Sequence, residues 1–418
     1  MKHHFYYVTI VALLVFFVTA CDSEENKPDN GDNGKLTNMY TEIPVAESAA
    51  GVTASANDFA LNVYKQISGG NVSNNICTSP YSLFVALSMA ANADNGETRD
   101  QLVQLLGVDG ESGIEMLNSY NSTLLEYLPK VDKLTTCMIV NSVWYNPSFQ
   151  IAQPFGKDVE NYYNASIFNI SPSDNAGMTA MNKWISDNTA GMIPSLLDSP
   201  LSSNIALVNA AYFNGEWQDP FEESATEPGE FTNIDGSKGE AYYMYNDMIM
   251  QYYESDDMQV VRLPYGNSNF AMYAILPAKD LSLSSFVSTL TANKVSAITG
   301  NMISIDVTLR LPRFTAEYKE DVMSCMRALG LTSQSLSAAL TQNNVAVPTN
   351  INTILHGTKI IVNEKGTKVA AATVVGDVTA EGPVDKVTLT FNRPFLYMIE
   401  EASTHTILFI GQQVKMTN

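Results

Sequence analysis

Histidine is almost missing from this chain, and most acid–base and metal chemistry goes with it. There are four in 418 residues, and His3 and His4 sit in the N-terminal apolar segment, leaving His356 and His405. No His-Glu-x-x-His, Gly-x-Ser-x-Gly, phosphate-cradling glycine loop or dinucleotide glycine pattern occurs. A hydrolase built on Asp and Glu alone stays open, but among 44 acidic residues a carboxylate pair is a weak signal. The expectation is therefore a protein that is not an enzyme and uses no cofactor or metal. Cysteine is equally sparse: Cys21, Cys77, Cys137 and Cys325, with no Cys-x-x-Cys pair. The last three make an odd set, which argues against a disulfide framework and for buried free thiols. Basic residues number 23 against the 44 acidic, a net charge of −21. Such a surface repels nucleic acid and anionic lipid, so no nucleic-acid partner and no polyanion site are expected.

One long apolar run is present, at the N-terminus. Lys2 gives a positive start, Phe5 to Ala20 is apolar apart from Thr9 and Thr19, and the segment closes on Val18, Thr19, Ala20 and Cys21. It is shorter than the ~20 residues of a spanning helix and has a small residue before the cysteine. This resembles a bacterial lipoprotein signal, cut before Cys21 with lipid then added to that residue; an ordinary signal peptide with a chance cysteine is the alternative. The acidic run Asp22 to Glu25 is similar to a surface-export signal of some Gram-negative lipoproteins. The expected organisation is a signal peptide over 1–20, an acidic flexible tether over 21–45 and one domain over 46–418, with no second linker and no repeat. The expected location is the bacterial outer membrane, held through lipid on Cys21, with either side of that membrane open.

Within the domain, helical patterns come first. Phe59, Val63 and Ile67 share a face; Ser79 and Pro80 suit a helix start; Leu83 to Met89 reads as a buried helix; Leu102, Leu105 and Leu106 mark another. Strands dominate later: Met138 to Tyr145, Ile205 to Phe213, a hairpin turn at Asp235–Gly236, paired strands around Gly266–Asn267, then Val307 to Leu311, Ile360 to Val362 and two more from Leu396 to Val414. Helices followed by many strands imply an α+β domain with several sheets.

Near the C-terminus, Glu364, Lys365, Gly366, Thr367 and Lys368 lead into Val369, Ala370, Ala371, Ala372, Thr373, Val374 and Val375, all small or β-branched and free of proline. On its own this string reads equally as a hairpin or as a loop able to enter a sheet. Phe391 to Ile399 follows as an apolar strand broken by Arg393 and Pro394. Together with Ser79 to Ser82, Leu207 to Trp217, Arg310 to Phe314 and His356, in that order, these blocks resemble the serpin family over about residues 46–418. The resemblance implies three β-sheets, eight or nine helices and an exposed reactive-centre loop over about 365–386.

It also implies roles. Ser79, Ser82, Asn209 and His356 would form the shutter, a polar network beneath the central strands; Trp217 would mark the breach. Glu364, Gly366, Thr367, Val369, Ala370, Ala371, Ala372 and Thr373 would form the hinge. Strand alternation would turn Thr367, Val369, Ala371, Thr373 and Val375 toward the core on insertion. Lys368, in place of the family's acidic residue, would face outward; Val369 is larger than the usual alanine, and Asp377 would turn inward near the end of the inserted stretch. Counting from Thr367 puts the scissile bond at Ala380–Glu381, with Val378 and Thr379 beside it and Pro383 the result of counting from Phe391. Small aliphatic bait suits elastase-like or subtilisin-like serine proteases, with glutamate-specific and papain-like cysteine proteases open. The implied function is a monomeric suicide-substrate inhibitor that traps its protease covalently. A non-inhibitory serpin and a surface ligand-binding lipoprotein are the rivals.

Overall fold

The structure, a computed structural model, describes residues 38–367 and 386–416. Its helices are α1 (Val52–Gly70), α2 (Pro80–Asn92), α3 (Glu97–Leu105), α4 (Gly110–Tyr127), α5 (Gln153–Tyr163), α6 (Asn175–Asn188), α7 (Leu283–Ser288), α8 (Ala292–Gly300) and α9 (Met323–Ala328). The strands are β1 (Ile76–Thr78), β2 (Thr135–Tyr145), β3 (Gln150–Ile151), β4 (Ser166–Phe168), β5 (Ile205–Glu216), β6 (Glu227–Thr232), β7 (Lys238–Ser255), β8 (Met258–Tyr265) and β9 (Phe270–Pro277). They continue with β10 (Ile303–Pro312), β11 (Phe314–Asp321), β12 (Leu340–Gln342), β13 (Val345–Val347), β14 (Leu355–Asn363), β15 (Gly366–Thr367), β16 (Lys386–Thr390), β17 (Phe395–Glu401) and β18 (Thr406–Gln413). Nine α-helices and three sheets among the described residues meet the α+β expectation.

The expected apolar faces are the buried ones. Phe59, Val63 and Ile67 of α1 are all inside. Helix α2 is apolar nearly all round and buried nearly all round, as such a pattern requires. Pro80 opens it, where a missing N–H does no harm, but Ser79 does not cap it: its hydroxyl donates to the Leu408 carbonyl at 2.9 Å instead.

The six-stranded sheet runs β11-β14-β15-β5-β2-β4. A nine-stranded sheet runs β1-β18-β17-β9-β8-β7-β10-β16 with β6 on β7, and the long β7 is shared: Tyr243 to Tyr252 pairs with β10, Gln251 to Ser255 with β8. Strands β9, β17 and β18 are buried along their whole length, because one apolar cluster fills the centre of the domain and a second, from α1, α7 and α8, covers their other face. The Asp235–Gly236 turn forms as expected, with Thr232 opposite Lys238 and Gly236 at φ +82°.

The tether boundary is corrected. Asn38 donates to Asp132 Oδ1 at 2.7 Å, the Asn267 amide donates to the Met39 carbonyl at 2.8 Å, and Ile43 N donates to Ser403 Oγ at 3.0 Å. The docked domain therefore begins by Asn38, not Ala46. Cys77 and Cys137 are buried free thiols, whereas Cys325 is only half-buried; burial pushes the thiol of Cys77 up to about 12 and that of Cys325 up to about 11.

Candidate functional site: the head of the six-stranded sheet

The hinge string begins as a hairpin. Strand β14 ends at Asn363, Glu364 and Lys365 turn, and β15 lies antiparallel between two strands: Thr367 opposite Val362 and Gly215, Gly366 opposite Asn363 and Glu216. Gly366 is obligatory here. Its φ is +141°, and a Cβ would meet the Gly215 carbonyl oxygen at 2.1 Å. Thr367 is fully buried, its hydroxyl 2.9 Å from that of Tyr265. Thr367 thus faces inward already in the uncleaved chain.

Trp217 closes the top of this seat. Its indole N–H donates to the Asn363 carbonyl at 2.9 Å, its backbone N–H donates to the Lys365 carbonyl at 2.9 Å, and its ring stacks on Tyr265 with centroids 4.3 Å apart. Glu364 is buried beside it. Its Oε1 accepts from Thr226 Oγ1 at 2.8 Å and lies 3.6 Å from Arg313 Nη1. A buried carboxylate needs such partners. The two-residue strand is thus held at its root from three directions.

Below Thr367 the arrangement changes. Strands β5 and β14 run parallel, and among the described residues no ladder pairs one directly with the other. A cavity of about 50 Å³ lies lower down, lined by Ile205 to Val208 and by Ile351 to Leu355. Two parallel strands with unpaired facing edges inside a sheet can accept a third strand antiparallel to both.

The shutter residues are all buried, but they do not form the single network expected. His356 Nε2 accepts from the backbone N–H of Ser79 at 3.0 Å, and Ser82 Oγ donates to the Ser79 carbonyl at 3.0 Å. Asn209 stands apart from them: its amide donates to Asn141 Oδ1 at 2.8 Å, because these two residues face each other across the β2–β5 ladder. Asn141 passes the chain on to the Tyr163 carbonyl at 2.9 Å. Burial holds His356 neutral, with its pKa pushed down to about 3. His405 sits elsewhere, at the β17–β18 turn, where Nδ1 is 2.9 Å from Glu400 Oε1 and that carboxylate raises its pKa.

Cys21, Val369, Ala370, Ala371, Ala372, Thr373, Val378, Thr379, Ala380 and Glu381 lie outside the described residues. Beyond them the chain re-enters at Lys386 as β16, parallel to β10. Sequence reasoning missed Tyr265, Asn141 and Thr226. Tyr265 precedes the Gly266–Asn267 turn, a position that marks a strand end but not a partner for Thr367. No group of three or more His, Cys, Asp or Glu side chains suited to a metal exists among the described residues.

Known proteins align with this architecture. The profile of the family described as Serpin (serine protease inhibitor) matches residues 54–416. Iris of Ixodes ricinus is 29% identical over 368 residues, covering 85% of this chain and 96% of its own length. Serpin-Z7 of Hordeum vulgare is 29% identical over 373 residues, covering 84% and 93%. Among solved structures, tengpin, a thermophilic serpin in the native state, aligns with a TM-score of 0.78 at 29% identity, across 90% of this chain and 97% of its own. Human thyroxine-binding globulin, solved with thyroxine, aligns at 0.79 and 22% identity across 89% and 100%, a likeness of fold.

Proposed function

The chain belongs to the serpin family, described as serine protease inhibitors, and we propose that it is a suicide-substrate inhibitor of elastase-like or subtilisin-like serine proteases. The observation that carries this reading is the two-residue strand β15, seated at the head of two parallel strands that do not pair below it. The hinge string continues from Thr367 with small, proline-free residues.

The observed register of Gly366 and Thr367 supports a definite order of entry. Continued downward, it would put Val369 between Phe213 and Ile360, Ala371 between Ala211 and Thr358, and Thr373 between Asn209 and His356. The shutter pair that the uncleaved fold keeps apart would thereby gain a common hydroxyl neighbour.

The chemistry begins on the loop. The protease serine Oγ attacks the carbonyl carbon of Ala380, the peptide bond to Glu381 breaks, the amine of Glu381 leaves with the proton relayed from the serine, and an ester joins Ala380 to the enzyme. The freed arm enters between β5 and β14 and carries the protease with it. About ten new residues in the sheet at ~0.5–1.5 kcal/mol per net hydrogen bond give a sum on the order of 10 kcal/mol. That is comparable with a protease's own stability, so distortion can outrun deacylation. Serpin loop insertion is itself a standard example of strand addition. Papain-like cysteine proteases form the analogous thioester and are secondary targets. The inhibitor works as a monomer at the bacterial outer membrane, lipid-anchored through Cys21.

Mixing the protein with pancreatic-type elastase and running a denaturing, reducing gel tests this. The expected result is a covalent band at the summed mass and a released fragment starting at Glu381 by mass spectrometry. Cleavage there without the band would leave only a substrate. Ala380→Arg should redirect inhibition to trypsin-like enzymes; an unchanged preference for elastase would mean that the bond lies elsewhere.

A further inference from the structure

A cavity of about 760 Å³ lies between α1, the β6–β7 turn, the β9–α7 connection and the bend leading from β16 into β17. That volume falls within the range of small-molecule sites. Its charge is the reverse of the molecule's. Lys65, Lys279 and Arg393 line it and no Asp or Glu does, in a chain whose acidic residues outnumber its basic ones 44 to 23. None of the three cations has a carboxylate partner among the described residues.

Arg393 makes the point most sharply. It is half-buried, and its one acceptor among the described residues is the Pro277 carbonyl, 2.6 Å from Nη2. A guanidinium is a five-donor fork suited to a carboxylate, and a partly desolvated one with a single neutral acceptor is under-compensated. Burial accordingly lowers its pKa. The walls are apolar: Leu281, Leu283 and Val287, with Val72 and Ile234 at 48% and 38% exposure, two of the few large apolar side chains left open to solvent.

We infer that this cavity binds a small amphipathic carboxylate, with its head on Arg393 between Lys65 and Lys279 and an apolar body of about ten carbons against Val72, Ile234 and Leu283. The site is separate from the loop-insertion machinery, so its failure and that of the inhibitory reading are distinguishable.

The probe is decanoate, titrated calorimetrically into the protein, with decanol and acetate as controls. Decanoate is expected to fill one site, decanol to bind about tenfold or more weakly for want of the charge, and acetate not to saturate for want of the body. Lys65→Glu and Lys279→Glu should each weaken decanoate about tenfold, and Ser284→Trp, at an exposed lining position, should block it, all with an unchanged melting temperature. Decanoate binding no tighter than decanol, or indifferent to both charge reversals and to Ser284→Trp, overturns the site.

Discussion

A histidine shut away from water is a liability in acid. His356 takes one hydrogen bond, from the Ser79 N–H, faces the Tyr318 ring with centroids 6.1 Å apart, and stands opposite Glu320 across the β11–β14 ladder, yet burial dominates its titration. Burial lowers its folded pKa to about 3 from an ordinary value of 6.5. Below the unfolded pKa the unfolded chain takes up a proton that the fold refuses. Stability is therefore intact above about pH 6.5 and falls as the pH drops toward 3, by roughly 3 kcal/mol at pH 4. Denaturant midpoints measured from pH 7 to 4 should fall more steeply for the natural protein than for His356→Gln, and parallel slopes would remove His356 as the cause. His405 works in the opposite sense: its raised pKa contributes stability that is present below 6.5 and lost as pH rises through the folded value. What the sequence could reveal at this scale is uneven. The inward-facing Thr367 follows from strand alternation, and the buried His356 from the family resemblance. The partner of Asn209 does not, because an amide's choice depends on which residue faces it across the ladder, and the β2–β5 register that supplies Asn141 leaves no local trace.

Among elements, β15 decides what the molecule can do. As a string, Glu364 to Val375 fits a hairpin as well as a mobile loop, and the described part is the hairpin: two residues seated, anchored by Trp217, Glu364 and Tyr265. Turn chemistry and alternation made the seat legible. The unpaired edges of β5 and β14 were not, since both strands read as ordinary buried strands whether or not they touch. The register makes a sharp demand on position 373. Insertion would bring it to a fully desolvated place between Asn209 and His356, where a guanidinium without a partner is strongly unfavourable. Thr373→Arg should leave the melting of the intact protein unchanged, abolish the covalent band and send each encounter to simple cleavage. A variant that still traps elastase at the natural stoichiometry would disprove the register.

For the whole molecule, the reading requires that the uncleaved fold be a kinetic trap and not the most stable arrangement. Polar composition alone marked residues 21–45 as tether, yet Asn38 to Ile43 are bonded to Asp132, Asn267, Asn269 and Ser403, contacts that composition does not report. On the proposed lipoprotein reading, Cys21→Ala should release the protein into the soluble fraction; unchanged membrane association would end that reading. The thermodynamic demand is stricter. An arm of about ten residues entering between β5 and β14 gains ladder bonds on both sides, on the order of 10 kcal/mol, as large as the whole stability of an ordinary domain. Since ~1 kcal/mol moves a melting point by about 2–4 °C in domains of 150–250 residues and by less in longer ones, a gain of that order shifts melting by roughly ten degrees or more. Scanning calorimetry on intact and loop-cleaved protein should thus find the cleaved form melting far higher, although cutting a chain ordinarily loosens it. Coincident transitions would mean that the arm stays out of the sheet after cleavage, and the energy proposed to disable the protease would have no source.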